Sequence, residues 1–394
     1  MNRTLLLLSL FCCGNSFGQS WQKMADVPVD LAFPVVVELN GNIHVVGGGA
    51  SSGASNLHLR YRPSLNVWDT LPPLPYAAQQ PAGAVVLGKI HFFGGGYPNT
   101  GKPLDKHYYY DADSGRWFAA KLMPVATAIH KAVVLNNRIY VMSGQPNKTL
   151  CEYYDPLSDT WVQNTALPDA NFWYGAITAN SKNIYRFGGG GFGNPTAAAH
   201  RYDPVNDQWD GQPDLPVPLH AASAVALNDT LLFISGGYYS GMTYDKTYVY
   251  HTRRQLYYPS NSMPFGTNYH SMVLAQGCVY SVGGDNSSVS GAGVSMLRIC
   301  NPEYKWSVSV ASPISAKPYQ VIKTSEGFEI RLSRGRFQTE GVKVYNSLGQ
   351  ELDLPVYPEA SGEVKFRSSD FPPGFYWFRF PVEGNFYCEK WSVR

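Results

Sequence analysis

Six times along this 394-residue chain a pair of small residues follows an apolar strand. The pairs are Gly47-Gly48, Gly94-Gly95, Ser143-Gly144, Gly188-Gly189, Gly236-Gly237 and Gly283-Gly284, and the strands before them read IHVV, IHFF, IYVM, IYRF, LLFI and VYSV. A second apolar strand lies just upstream of each. It is separated by a turn such as Asn40-Gly41, Asn136-Asn137 or Asn228-Asp229, which is a hairpin signal. Downstream come a loop, a strand ending in tyrosine, a turn, and an aromatic residue seven positions later. Tyr61 and Trp68, Tyr110 and Trp117, Tyr154 and Trp161, and Tyr202 and Trp209 keep that spacing, while Tyr257 stands for tryptophan after Tyr250. Asp155-Pro156 and Asp203-Pro204 place turn formers between the aromatics. Each unit closes on a proline segment, as at Leu74-Pro75, Met123-Pro124, Leu167-Pro168, Leu215-Pro216 and Met263-Pro264.

The period of about 47 residues falls in the range of propeller blades. A four-stranded blade cannot bury both faces alone, so blades stack around an axis and bury one another. Glycines let neighbouring backbones approach, and Tyr and Trp fill the wedge between blades. The repeat resembles the kelch repeat, and the six units together resemble a six-bladed kelch β-propeller spanning roughly residues 20 to 302. Trp21 to Pro28, WQKMADVP, matches the outer strand of the other units yet precedes any inner strand. It is expected to complete the last blade and close the ring, in preference to its rival Trp306. The fold class is thus all-β: a six-bladed propeller closed by an N-terminal strand over residues 19–302, a linker over 303–317, and a small β-sandwich over 318–394.

The chain carries 31 Lys and Arg against 29 Asp and Glu, which gives no electrostatic reason for a nucleic-acid partner. Residues 1–18 read as a secretory signal. Arg3 is the basic start, Leu5 to Cys13 form an apolar core too short to span a bilayer, and Ser16-Phe17-Gly18 offers small residues for cleavage. No later stretch reads as a transmembrane helix, so the mature protein is expected to be secreted or attached to the cell surface, and monomeric. Cys151, Cys278, Cys300 and Cys388 remain, without zinc-ligand spacing. Cys278 and Cys300 are equidistant from a hairpin centre near Val289, which suits a disulfide across the ladder and equally two buried thiols.

The C-terminal stretch VIKTS, FEIRLS, GVKVYNSLGQEL, VKFRSS, FYWFRF, FYCEKWSV is a run of short alternating strands. Val342 to Gln350, with its Leu348-Gly349 turn, and Pro373-Gly374-Phe375-Tyr376 resemble the C-terminal sorting domain of type IX secretion cargo in Bacteroidetes, and Lys390 to Arg394 supplies the basic ending. That resemblance implies the type IX machinery as a partner, followed by release or surface attachment. The usual Tyr-Pro-Asn-Pro opening is absent.

The loops before the inner strands and those after the glycines share one face of a propeller, its default binding surface. They carry Tyr76, Gln79, His130, Phe172, Trp173, Tyr174, His220, Asn268, Tyr269 and His270, with Tyr97, Lys102, Tyr238, Tyr239, Tyr244, Asp285 and Asn286 in the longer insertions. Aromatic faces beside amides and imidazoles suit a sugar or a peptide; the same aromatics also suit plain packing of the blade tops. His130, His220 and His270 lie near the starts of inner strands, where they read as channel-facing ligands or bases, or as ordinary hydrogen-bonded histidines. His44 and His91 occupy slots held elsewhere by Tyr140, Tyr185 and Tyr280 and read as structural. No nucleophile elbow, phosphate loop or metal-binding helix pair occurs, and no cofactor or metal is expected. The chain therefore reads as a non-enzymatic recognition module for glycan or protein. The alternative is a carbohydrate-active enzyme of the sialic acid mutarotase type, a family of exported kelch propellers it resembles at fold level.

Overall fold

The computed structural model describes residues 20–302 apart from 51–52, 97–99, 101, 171–173, 192, 286–291 and 301. Toward the C-terminus it describes 319–323, 327–332, 342–346, 351–352, 357–358, 364–372, 374–382 and 385–393. The expected signal peptide, 1–18, and the expected linker, 303–317, lie outside these residues. The chain divides into two compact units, Met1–Lys305 and Trp306–Arg394.

In the first unit every repeat becomes a four-stranded antiparallel sheet, six in all. Inner strands, in blade order, are Val35–Leu39, Ala82–Val86, Lys131–Leu135, Ala176–Ala179, Ser223–Ala226 and Ser271–Ala275. Each neighbours the next, and the last neighbours the first, so they ring a central axis. The core lies between blades. Val35, Val37 and Val46 of blade 1 pack on Ile90, Phe92 and Tyr110 of blade 2, and the same kind of cluster recurs around the ring.

The recurring aromatics act as latches. Tyr61, Tyr110, Tyr154 and Tyr202 sit opposite Trp68, Trp117, Trp161 and Trp209 in the ladder, with ring centroids 5.0 to 5.3 Å apart. Each indole N–H donates to a carbonyl of the preceding blade: Trp117 to Pro72 at 3.0 Å, Trp161 to Lys121 and Trp209 to Thr165 at 3.1 Å. In blade 5 the Tyr257 hydroxyl donates to Pro213 O at 2.8 Å, so the departure from tryptophan keeps the bond.

The same bond identifies the closing strand. Gln22–Lys23 pairs with Met296–Cys300 as the outer strand of blade 6. Trp21 Nε1 donates to Asn261 O of blade 5 at 2.9 Å, and Trp68 Nε1 donates to Ala25 O at 3.1 Å. The N-terminal segment thus both receives and makes the latch, and completes the last blade as expected. In that blade Cys278 and Cys300 are register partners and are joined by a disulfide.

Described strands of the second unit form two four-stranded antiparallel sheets. One has the order Tyr319–Lys323, Gly327–Leu332, Val364–Arg367, Tyr357–Pro358; the other has Glu351–Leu352, Lys343–Asn346, Gly374–Val382, Asn385–Val393. Phe366 of one sheet and Phe378 of the other are buried with centroids 4.5 Å apart. Ser347 to Gln350 and Pro373, on which the sorting-domain resemblance partly rests, lie outside the described residues. Among the described residues no helix is long and apolar enough to cross a membrane.

Candidate functional site at the mouth of the channel

Where each outer strand hands over to the next inner strand, the loop passes through three slots that recur from blade to blade. The first slot, with Ala32, Gln79, Ala128, His220 and Asn268, forms an isolated bridge to the loop after the glycines. The second holds Phe33, Gln80, Ile129, Tyr174, Ala221 and Tyr269. All six are left-handed, with φ of 57°, 51°, 62°, 61°, 56° and 55°. The third holds Pro34, Pro81, His130, Gly175, Ala222 and His270.

A left-handed non-glycine residue costs about 1–2 kcal/mol, and six in a row of equivalent positions marks a feature of the architecture. Backbone bonds between blades hold them. Phe33 N donates to Tyr269 O at 2.9 Å, Tyr269 N to Ala221 O at 3.1 Å, Ala221 N to Tyr174 O at 2.9 Å, and Ile129 N to Gln80 O at 3.1 Å.

The conformation recurs, but the side chains differ, and the large ones meet. Phe33 of blade 1 lies 4.0 Å from Tyr269 of blade 6 and 5.9 Å from Tyr174 of blade 4, centroid to centroid. Tyr174 and Tyr269 are 5.5 Å apart. Blades 1 and 4 are opposite one another, so these rings span the mouth as an aromatic plug. Gln80 Nε2 of blade 2 donates to the Tyr174 hydroxyl at 3.0 Å. His220 meets the edge of the Tyr174 ring at 4.7 Å. Its Nδ1 is 3.1 Å from Gly190 O and its Nε2 is 3.1 Å from the Tyr269 hydroxyl. Because a carbonyl can only accept, Nδ1 carries the proton, and the tyrosine donates to Nε2. Burial, and then the charge of Lys131, lowers the His220 pKa to about 4, so the imidazole is neutral at neutral pH. Burial raises the phenol pKa of both Tyr174 and Tyr269.

Of the residues singled out in the sequence, Tyr174, His220 and Tyr269 come together here. Phe172 and Trp173 lie outside the described residues. Asn268 is buried beside Tyr269, its backbone bridged to Asp285. His130 and His270 go elsewhere. Each is buried in the third slot with its ring against the first glycine of the preceding blade, Gly94 and Gly236, where no Cβ would fit. They therefore do not converge with His220. Tyr76 is likewise drawn inward, its hydroxyl donating to Gly94 O at 3.2 Å. His44 pairs with His58, and His91 with His107, each at 2.9 Å between adjacent strands of one blade, in keeping with a structural role.

Phe33 and Gln80 were missed in the sequence. The available signal was their place immediately before Pro34 and Pro81, the slot that Tyr174 and Tyr269 fill in other repeats.

A family model for the KLHDC2/KLHL20/DRC7 Kelch-repeats domain matches residues 84–284, just over half of the chain. The chain belongs to this kelch-repeat family. Kelch-like protein 35 of Mus musculus is 29% identical over 196 residues, covering 50% of this chain and 34% of that protein. Kelch-like protein terF of Aspergillus terreus is 27% identical over 252 residues, 58% of this chain and 54% of the relative. The first curated relatives are thus matched over about a third of their length. A solved structure titled "Structure of YjhT" superposes with a TM-score of 0.60 at 15% identity, over 69% of this chain and 95% of that one, a likeness of fold alone. Within the kelch ring, then, the glycine pairs and the Tyr–Trp latches recur as scaffold, and the side chains of the second slot differ from blade to blade.

Proposed function

We propose that this kelch propeller is an exported recognition module that takes a glycan or a protein ligand on the plugged face of the ring. The aromatic plug is the observation that carries the reading. Phe33 and Tyr174 are half-buried rings with the half-buried Gln80 amide beside them, and the buried Tyr269 and His220 pack against them. Rings of this kind stack on the apolar face of a sugar or on a peptide side chain, and the adjacent polar groups take hydroxyls or amides. The loops around the plug differ between blades, as expected where specificity resides. Three of them project short hairpins, Gly49–Ala54, Gly190–Pro195 and Tyr238–Thr243. Export is supported by the Arg3 to Gly18 stretch, and delivery through the type IX machinery to the cell surface or medium by the C-terminal resemblance.

Glycan-array and peptide-library binding of the full mature chain tests this, with Phe33→Ala and Tyr174→Ala as variants and Trp173→Ala as a third probe of the same loop. Ligands bound by the wild type should lose roughly tenfold or more in affinity in the first two variants, about 1.4 kcal/mol. Binding indifferent to both would remove the plugged face as the site. Acceleration of sugar anomerisation by the purified chain would replace recognition by catalysis of the mutarotase type.

A further inference from the structure

Tyr76, the residue after Leu74-Pro75, meets Phe92 of the next blade edge to face, with ring centroids 5.7 Å apart. The same two positions hold Val29 and Val45, Val125 and Val141, Val217 and Ile234, and Phe265 and Ser281 in four other repeats. Blade 4 departs at both positions at once. Asp169 follows Leu167-Pro168, and Arg186 stands in the strand Ile184–Phe187. Of the six copies, only this one carries charge at either position, and it carries opposite signs at the two.

The two charges meet. A guanidinium N–H of Arg186 donates to Asp169 Oδ2. Ile184 packs with Tyr140 and Met142 of blade 3, while Tyr185 and Phe187 pack with Leu232 and Tyr250 of blade 5. Strand alternation therefore puts Arg186 on the side of blade 3, where its side chain is fully buried and that of Asp169 keeps 32% of its surface exposed. A buried ion pair adds little net stability over an apolar pair of similar bulk. What it supplies is direction, because the rigid guanidinium fork fixes where the carboxylate must lie.

The loop that Asp169 opens needs such a restraint more than the others. The span from Leu167 to Gly175 is one residue longer than those from Leu74 to Pro81, Met123 to His130, Leu215 to Ala222 and Met263 to His270. Its third slot is glycine, the residue that restricts the backbone least, where the other loops have Pro, His or Ala. The same loop delivers Tyr174, whose ring meets Phe33 and Tyr269 and whose hydroxyl accepts from Gln80.

We propose that Asp169 and Arg186 are positioning residues, whose buried ion pair holds the longer loop so that Tyr174 stands in the aromatic plug. Its consequence for ligand binding rests on the plugged-face reading above, whereas the positioning is measured without any ligand.

Nitration of the full chain by tetranitromethane at pH 8, quantified at each tyrosine by mass spectrometry, reads how firmly Tyr174 is held. Asp169→Asn leaves the buried guanidinium without its carboxylate. The double variant Asp169→Val/Arg186→Val installs the apolar pair that Val125 and Val141 make up in blade 3, and keeps the interface filled. In both, Tyr174 should be nitrated severalfold faster than in the wild type, with the exposed Tyr239 unchanged and the buried Tyr61 still protected. The double variant should melt within a few degrees of the wild type. Nitration of Tyr174 at the wild-type rate in the double variant would overturn the proposal, since apolar packing would then serve equally. A rise shared by Tyr61, or a double variant that melts far below the wild type, would also overturn it, because the pair would then be a folding element. If Asp169→Asn does not fold, the double variant decides alone. If Tyr174 resists the reagent in every chain, exchange of the Ala221 amide, which donates to Tyr174 O, decides: exchange no faster in the double variant than in the wild type overturns the proposal. A confirmed positioning role beside ligand binding indifferent to Phe33→Ala would remove the plugged face as the site and leave the role of the pair intact.

Discussion

Phe33 and Tyr174 come from blades on opposite sides of the ring, and their ring centroids are 5.9 Å apart. The left-handed backbone at both residues turns the side chains toward the axis, and Tyr269, 4.0 Å from Phe33, fills the space beside them. The mouth of the channel is thereby a floor of aromatic faces. Truncating either residue should cost about 1–2 kcal/mol from lost ring contacts, with the blades otherwise intact. Urea unfolding of Phe33→Ala and Tyr174→Ala measures it, and the expected signature is a lower midpoint with an unchanged m-value.

The latch bonds predict how blade 5 responds to change at Tyr257. Tyr257→Phe removes the bond to Pro213 O and should lower stability by about 1 kcal/mol. Tyr257→Trp restores the residue of the other repeats and should recover most of that loss. If both substitutions destabilised equally, the hydroxyl would not be the relevant group.

Acid should unfold the propeller through its histidines. Burial is the largest cause that lowers His44, His107 and His220 to about 4 and His58, His91, His130 and His270 to about 3, from an ordinary 6.5. The unfolded chain therefore takes up protons below pH 6.5 that the folded one refuses until pH 3–4. Their contribution to stability is complete above pH 6.5 and is lost as pH falls through that window. Tm measured from pH 7.5 to 4.5 should drop steadily below 6.5; a flat profile would contradict the burial of these rings.

Glu152 should act in the opposite sense. It is buried in the third strand of blade 3, and burial raises its pKa to about 7 from an ordinary 4.5. Protonation favours the folded state, so this contribution is complete below pH 4.5 and disappears as pH rises through 7. Glu152→Gln should match the wild type at pH 4.5 and exceed it by about 1–3 kcal/mol at pH 8. Chemical denaturation at the two pH values provides the comparison.

Much of the ring was legible because it repeats. The spacing of Gly47-Gly48, Tyr61 and Trp68 recurs wherever a blade must meet its neighbour, and the match of Trp21 to the outer strands is enough to place the closing strand. The candidate site was legible only in part. His130, His220 and His270 look alike in sequence, each a histidine just before an inner strand. His220 is in the first slot and the other two are in the third, with a left-handed residue between. That two-residue offset sends one imidazole to the plug and the others behind the glycines of preceding blades.

The sequence by itself determined the number of blades, their strand order and the way the ring closes, because those follow from local patterns copied six times. Only the tertiary structure decided which unlike residues face one another across the axis. Phe33 and Tyr174 are far apart in the chain, as are Phe33 and Tyr269, yet their ring centroids lie 5.9 and 4.0 Å apart. Such meetings depend on closing the ring, which brings every blade to one axis and leaves no trace in the spacing of any single repeat.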